Sequence, residues 1–206
     1  MKTTVLNLRN AVVFLAGALL LMSCGVSNVV IQGSYPSPNV ASLPIDVAVV
    51  YDEALRSFHY IEYSETGNEE YNIASGESHI ALFNAVLPAM FNSVVTVDSV
   101  EEAQARGVDA IFVPAIDEFQ LALPNKTKLD VFEVWIRYNM RLLAEDGAPI
   151  ADWVLTSYGK TPTENLRGTT TAINEAAVVA LRDLASSFSL SFGQVPEIRD
   201  WLAARQ

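Results

Sequence analysis

The chain has 206 residues with 24 acidic and 13 basic side chains, a net charge of −11 at pH 7, and a hydrophobic fraction of 50%. This size and apolar content fit one domain with its own core. Nucleic acids and anionic lipid surfaces attract clustered lysine and arginine, which the sequence lacks, so we expect neither as a partner. The single cysteine, Cys24, excludes an internal disulfide.

The N-terminal residues have the layout of a secretory signal. Lys2 and Arg9 make a positive start, Ala11–Met22 make an apolar run of 12 residues, and a small residue precedes Cys24. A helix needs about 20 apolar residues to cross a bilayer. We therefore predict that residues 1–23 are a removed signal peptide and not a permanent span.

The sequence Leu21-Met22-Ser23-Cys24 resembles a bacterial lipobox, although Met22 replaces the usual small or β-branched residue. The resemblance implies that Cys24 is acylated, with palmitate among its lipids, and becomes the first residue of the mature protein. A plain signal peptide and an uncleaved anchor are the alternatives. Gly25 stands where an aspartate would favour the inner membrane, so similarity to the sorting rules implies the periplasmic face of the outer membrane.

Residues 24–44 predict a flexible tether, because the stretch is uncharged and rich in serine, asparagine, glycine and proline. Such a segment reaches roughly 25 Å. As an alternative, Val29-Val30-Ile31 could form a short edge strand. We assign the remainder, residues 45–206, to a single periplasmic α/β domain with a short C-terminal helix.

Alternating and helical patterns predict the elements of this domain in chain order. We expect strands over 46–51 and 58–63, a loop over 64–75, a helix ending near Phe91, a strand over 94–97, a short helix before Gly107, and a strand from Ala110 toward Leu123. The helix that opens at Thr170 has an apolar stripe from Ile173 to Phe188, and a last helix begins at Pro196.

A β-hairpin is predicted around Asp146-Gly147, a dipeptide that favours a two-residue turn. In that register one face bears two oppositely charged pairs and one aromatic pair, and the other face is apolar. The three pairs are Arg141 with Asp152, Glu133 with Lys160, and Trp135 with Tyr158. The apolar face comprises Phe132, Val134, Ile136, Tyr138, Met140, Leu142, Ala151, Trp153 and Leu155.

The resulting order β-β-α-β-α-β-β-β-α predicts an α+β (mixed α/β) fold. We expect a single twisted mixed sheet with helices packed mainly on one face.

Common catalytic and cofactor signatures are missing, so we predict a protein that is not an enzyme and uses no cofactor or metal. Gly159-Lys160-Thr161 resembles the end of a phosphate loop, but Val154 replaces its first glycine. His59 and His79 have no metal-ligand companions, and we interpret both as surface or half-buried residues. Among the acidic pairs, Asp117-Glu118 is unusual because it interrupts an apolar strand.

The remaining candidate is a surface. Trp135, Tyr158 and Arg137 are predicted to share the hairpin face opposite the core, where exposed aromatic residues favour partner binding. In the alternative interpretation, a helix or the C-terminal segment covers the aromatic pair and forms a second core layer.

The stretch Gly107-Val108-Asp109-Ala110-Ile111-Phe112-Val113-Pro114-Ala115-Ile116 resembles a strand entry found in small periplasmic lipoprotein domains. These include the curli-secretion lipoprotein, the amino-terminal domain of the Tol translocation protein, and lipoproteins that activate peptidoglycan synthases. ABC-type transport auxiliary lipoproteins are similar in size and layout. The resemblance covers residues 45–190, supplies no catalytic residues, and implies an accessory or docking subunit of a cell-envelope assembly or transport system.

Two other functions stay open. A small hydrophobic ligand or lipid could bind between sheet and helices if Phe83, Phe91 and Phe132 line an apolar cavity. An enzyme requires Asp117, Glu118 and a histidine to meet in one cleft.

Overall fold

The computed structural model describes residues 25–163 and 168–205, which form a mixed α+β fold with two sheets. The strands are β1 Gly25–Val30, β2 Leu43–Val50, β3 His59–Tyr63, β4 Glu69–Ala74, β5 Phe91–Val97, β6 Ala110–Ala122, β7 Val131–Ala144 and β8 Pro149–Pro162. The helices are α1 Glu53–Arg56, α2 Gly76–Met90, α3 Val100–Gln104, α4 Pro124–Thr127, α5 Thr169–Ser191 and α6 Pro196–Ala203, with a 3-10 turn at Phe192–Gln194. The predicted fold class is confirmed.

The larger sheet has the strand order β5-β2-β6-β7-β8. Its first three strands are parallel, and the long strands β6, β7 and β8 continue it in antiparallel pairing. One face packs on helices α2 and α5, whereas the short helix α3 covers only the β5, β2 and β6 part of the other face. The opposite face of β7 and β8 is therefore left without a covering helix among the described residues.

The β7–β8 hairpin has the predicted pairing, with Trp135 opposite Tyr158 and Arg141 opposite Asp152. Its turn is one residue longer than predicted. The Ala144 N–H donates to the Ala148 carbonyl at 2.8 Å, so three residues form the loop, and Gly147 adopts φ +83°. A left-handed residue at this position is typical of three-residue hairpin loops. A register shift between Leu142 and Leu143 then restores the predicted pairs along the rest of the hairpin.

The smaller sheet has the order β1-β4-β3 and contradicts the prediction of a single sheet. Strand β4 lies inside the predicted loop over 64–75, and β1 runs parallel to it from Gly25 onward. The predicted tether over residues 24–44 is therefore wrong for Gly25–Val30. The alternative of an edge strand at Val29-Val30-Ile31 is confirmed for Val29 and Val30. The strand begins earlier than that alternative placed it, at Gly25, and ends before Ile31.

The N-terminal segment is also held to the last long helix. The Gln32 N–H donates to Asn174 Oδ1 at 2.7 Å, and Asn174 Nδ2 donates back to the Gln32 carbonyl at 3.2 Å. Arg182 donates to the Ser34 carbonyl through Nε and Nη2. Two residues of helix α5 thus fix the chain where it leaves β1.

Helix α5 lies directly on strand β8 because Gly159 has no side chain. A Cβ at this position would come within 2.2 Å of the Ala176 carbonyl oxygen and 2.3 Å of the Ala180 nitrogen. The helix turns small side chains toward the sheet at Ala172, Ala176, Ala177 and Ala180, and all four are buried. The glycine that resembled part of a phosphate loop is therefore a packing position in a strand.

Candidate docking face

The candidate site is the face of β7, β8 and the end of β6 that no helix of the described residues covers, which we call the open face. It is defined by side chains that alternate with the core positions of these strands: Glu118, Gln120, Glu133, Trp135, Arg137, Arg141, Asp152, Val154, Thr156, Tyr158 and Lys160. Successive side chains of a strand point to opposite faces, so the buried row from Phe132 to Leu142 places this second row outward.

Trp135 and Tyr158 form an aromatic pair at the centre of the open face. They are directly opposed in the β7–β8 register, and their ring centroids lie 4.3 Å apart. Trp135 keeps 50% of its surface exposed. The alternative in which a helix or the C-terminal segment covers this pair is therefore wrong. The terminal helix α6 docks elsewhere, where Arg205 pairs with Asp109 and lies 4.9 Å over the Trp201 ring.

The Tyr158 hydroxyl is held by a neighbouring carboxylate. Its Oη donates to Glu133 Oε1 at 2.5 Å. This hydrogen bond raises the pKa of Tyr158 to about 12, and slight burial and the negative charge of Glu133 act in the same direction. The hydroxyl therefore stays protonated at neutral pH, and its ring is oriented beside Trp135.

Arg137 lies next to the aromatic pair and contacts both members of the unusual acidic dipeptide. A shift in the β6–β7 register between Ile116 and Glu118 inserts an extra residue in β6, as a β-bulge does. Arg137 Nη2 consequently lies 2.6 Å from Asp117 Oδ2, and its Nε lies 3.9 Å from Glu118 Oε2. About half of each of these side chains is exposed. We interpret the dipeptide as a surface ion-pair group that orients Arg137.

A shallow groove of about 150 Å³ runs beside these residues and is lined by Glu118, Gln120, Trp135, Arg137 and Thr156. Gln120 stands opposite Trp135 in the register, and its Nε2 donates to Glu118 Oε1 at 2.5 Å. Sequence reasoning did not assign Gln120 or Thr156 to the site. The place of Gln120 depends on the bulge in β6, which no residue pattern indicated. Thr156 lies opposite Arg137 in the predicted hairpin register and could have been assigned from it.

The two histidines lie in different environments, and neither reaches the acidic dipeptide. His59 is exposed, but His79 is fully buried, so its assignment as a surface or half-buried residue is wrong. His79 Nε2 lies 3.0 Å from Ser75 Oγ, and its Nδ1 lies 2.6 Å from Tyr138 Oη. Burial lowers the pKa of His79 to about 3. The arrangement resembles a hydroxyl–imidazole pair, but a substrate could reach it only if the core opened.

The apolar cavity expected for a hydrophobic ligand is not formed by the three phenylalanines together. Phe83 is surrounded by the rings of Tyr51, Phe112, Tyr138 and Phe188 in the filled core. Phe91 packs on Phe192 at 5.1 Å between ring centroids. Phe132 does line an open groove of about 250 Å³, which is smaller than the roughly 300–1,000 Å³ of small-molecule pockets.

Three further sequence-based predictions concern the lipidation site, a membrane span and a metal site. Cys24, the predicted lipidation site, lies outside the described residues. Within 25–163 and 168–205, no helix has the length and apolar character needed to span a bilayer. In the same part of the chain, no three histidine, cysteine, aspartate or glutamate side chains are placed to hold a metal ion.

No protein-family model and no curated protein matches the chain. Among solved structures, protein XCC0632 of Xanthomonas campestris, assigned to family DUF330, is 12% identical with a TM-score of 0.52, and the match covers 80% of this chain and 92% of that one. At this identity the likeness shows the fold alone.

More distant solved structures include two further bacterial proteins. A dodecamer of a PelC variant from Paraburkholderia phytofirmans is 16% identical with a TM-score of 0.40, and the match covers 74% of this chain and 92% of that chain. A minor lipoprotein of Acinetobacter baumannii is 10% identical with a TM-score of 0.39, and the coverage is 75% and 94%. These two likenesses are too remote to carry an argument about function.

Proposed function

We propose that the protein is a lipoprotein anchored through acylated Cys24 to the periplasmic face of the outer membrane, where it acts without catalysis as a docking subunit of a cell-envelope assembly or transport system. The order of the positive start, the apolar run and Leu21–Cys24 supports the anchor. The resemblance of Gly107–Ile116 to periplasmic lipoprotein domains supports the role in the envelope.

The observation that carries the docking role is the exposed Trp135–Tyr158 pair beside Arg137. Tryptophan, tyrosine and arginine are the residue types most enriched among those that dominate binding energy in protein interfaces. Both rings stand on rigid neighbouring strands, so little conformational entropy is lost when a partner covers them. The occupant we propose is a protein surface, because the aromatic centre is surrounded by charged groups of both signs, as in the polar rim of an interface.

In this proposal Arg137 also contacts the partner directly. Its pairing with Asp117 and Glu118 keeps the guanidinium beside the Trp135 ring, ready to bind an acidic or carbonyl group of the partner. These pairs are half-exposed and contribute little to folding stability. Their main effect is to hold the binding group in place.

Acylation is tested by labelling. Cells that express the wild-type protein are grown with labelled palmitate, next to cells that express Cys24→Ser. We expect label in the wild-type protein and none in the variant. Equal labelling of both proteins, or no label in either, would end the anchor proposal.

Docking is tested by crosslinking in intact cells with a photoreactive residue at position 135 or 158. The matched control places the same residue at 190, because Leu190 is 67% exposed on helix α5, which packs on the other face of the sheet. We expect one envelope protein to be captured from 135 and 158 and not from 190. Capture from all three positions, or from none, would refute the open face as the docking site.

A further inference from the structure

The outer face of the small sheet has exposed apolar side chains on both of its edge strands. Nine large hydrophobic side chains of the described residues are exposed, and four of them lie on the outer side of this sheet. They are Val26 at 59%, Val30 at 58%, Ile61 at 41% and Tyr63 at 49%. The inner side chains of the same strands, such as Val29 and Ile73, are buried in the core. The middle strand β4 lies between β1 and β3, so the four exposed side chains form two pairs on one face, Val26 with Val30 on β1 and Ile61 with Tyr63 on β3. Exposed apolar side chains gathered on one face of a sheet indicate an interaction surface.

The register places these residues in neighbouring rows. Val26 lies beside Glu70, which lies beside Tyr63, and Asn28 lies beside Asn72, which lies beside Ile61. The last row is Val30, Ala74 and His59. Val26 and Val30 are four residues apart, so the apolar positions extend for about 13 Å along the strand.

This face begins one residue after the predicted lipid anchor. Gly25 is the first residue of β1, and its N–H donates to the Asn68 carbonyl at 3.3 Å. Consecutive Cα atoms are about 3.8 Å apart, so the Cα atom of Val26 lies within roughly 7 Å of that of Cys24. Strand β1 thus begins directly after Cys24, and acylation of Cys24 would place the exposed Val26 side chain close to the membrane surface.

We propose that the outer face of the small sheet rests on the bilayer at the level of the lipid headgroups, an inference that depends on the acylation of Cys24 proposed above. The anchor brings the face to the lipid, and the valine and isoleucine side chains reach the boundary between headgroups and acyl chains. Tyr63 suits this depth, because tyrosine is enriched at membrane–water interfaces. The open face of the large sheet belongs to other strands and stays available for a protein.

The charges on this face select the type of lipid. Strands β1, β3 and β4 contain no lysine or arginine, and the outer rows carry the carboxylate of Glu70. Anionic headgroups would repel this carboxylate and the acidic chain as a whole. The lipid bound is therefore zwitterionic, and phosphatidylcholine vesicles are the probe.

The test uses the purified acylated protein inserted into phosphatidylcholine vesicles. Acylation blocks Cys24, the only native cysteine, so an environment-sensitive fluorophore can be attached to one introduced cysteine at a time. The probe positions are Val30→Cys and Ile61→Cys. The controls are Val154→Cys on the open face and Leu190→Cys on α5, which replace side chains with 55% and 67% exposure.

We expect the emission at positions 30 and 61 to shift to shorter wavelength on insertion and to be quenched by lipids that carry a headgroup-level quencher. The controls should show neither effect, and adding phosphatidylglycerol should reduce the shift. A second substitution, Ile61→Asp, should abolish the shift at position 30 while the anchor keeps the protein on the vesicle. Val154→Asp should leave that shift unchanged.

The outcomes separate this inference from the proposed anchor. If the protein fails to co-float with vesicles, or if Cys24→Ser co-floats equally well, the anchor itself is refuted. If the wild-type protein co-floats but positions 30 and 61 behave like 154 and 190, the anchor stands and the contact between sheet and bilayer is refuted. A shift at all four positions would also overturn the proposal, because it would indicate non-specific adsorption.

Discussion

Replacing Gly159 with alanine should destabilise the protein strongly, because the methyl group would enter the backbone of helix α5. The added Cβ would lie 2.2 Å from the Ala176 carbonyl oxygen and 2.3 Å from the Ala180 nitrogen, and ordinary contact begins near 3.4 Å. The helix must therefore move by roughly 1 Å. Both obstructing atoms are backbone atoms, so a change of rotamer cannot relieve the contact.

A movement of this size would loosen the whole contact between α5 and the sheet. A radial gap of about 0.5–1 Å forfeits a quarter to a half of each atomic attraction, and Ile173, Leu181 and Phe188 all lose contacts in this way. Overpacked cores typically lose about 1–3 kcal/mol, and we expect the upper end, about 3 kcal/mol. For a chain of this size, that corresponds to a fall in Tm of about 6–12 °C.

Urea unfolding followed by circular dichroism measures this change, and thermal unfolding checks it. The matched control is Gly193→Ala, because a Cβ at Gly193 meets no atom within 4 Å and its φ is not positive. The control should change the free energy of unfolding by less than about 1 kcal/mol, in the stabilising direction. If Gly159→Ala is as stable as the control, the close approach of helix and strand is not the feature that fixes α5.

Three further predictions follow from buried or paired side chains. Burial lowers the pKa of His79 to about 3, so unfolding exposes a group that binds a proton below its ordinary pKa near 6.5. Stability should therefore fall as pH drops from 6.5 toward 3, by up to about 1.4 kcal/mol per pH unit, and urea unfolding at several pH values should show a smaller pH dependence for His79→Gln. Arg137→Gln should lower the free energy of unfolding by less than about 1 kcal/mol, because the ion pairs of Arg137 are half-exposed. The crosslinking yield at position 158 should nevertheless drop. A large loss of stability would contradict the positioning role. Asp183→Ala should lower the free energy of unfolding in urea by about 1 kcal/mol, because Asp183 Oδ2 accepts a hydrogen bond from the Tyr158 N–H at 3.1 Å. An unchanged free energy would mean that water replaces this bond.

The hairpin shows how far side-chain alternation predicts structure. A slip of one residue would have turned the row from Phe132 to Leu142 outward, so the apolar pattern determined the register of β7 and β8. The turn was less predictable. Asp146-Gly147 is compatible with a two-residue loop, and the three-residue loop is shown by the Ala144–Ala148 hydrogen bond, the left-handed Gly147 and the shift near Leu142.

The small sheet was missed because its pairing is not local. Strand β1 pairs in parallel with β4, more than forty positions further along the chain, and such contacts leave no short-range signal. The serine, asparagine and proline residues around β1 indicated a loop, as did Gly67-Asn68 just before β4. Tertiary packing outweighed these local preferences, since Val29, Ile31, Tyr71 and Ile73 are all buried.

The candidate site was predictable in part for a related reason. Trp135, Tyr158 and Arg137 came from the hairpin register, which local alternation determines. The partners of Arg137 came from β6, where the extra residue near Asp117 changes which side chains share a face. The burial of His79 depends on Ser75 one turn earlier and on Tyr138 in a distant strand. The pattern of a single sequence contains the hairpin register. It does not contain the β6 partners of Arg137 or the burial of His79.

The bonds that join Gln32 and Ser34 to helix α5 have a consequence for the order of folding. Asn174 and Arg182 lie 142 and 148 positions after their partners, so the segment at Gln32 and Ser34 cannot settle until helix α5 has formed. Contacts of such long separation slow folding. Strand β1 would then be the last element to close, and the N-terminal part of the described chain would remain open until the rest had formed.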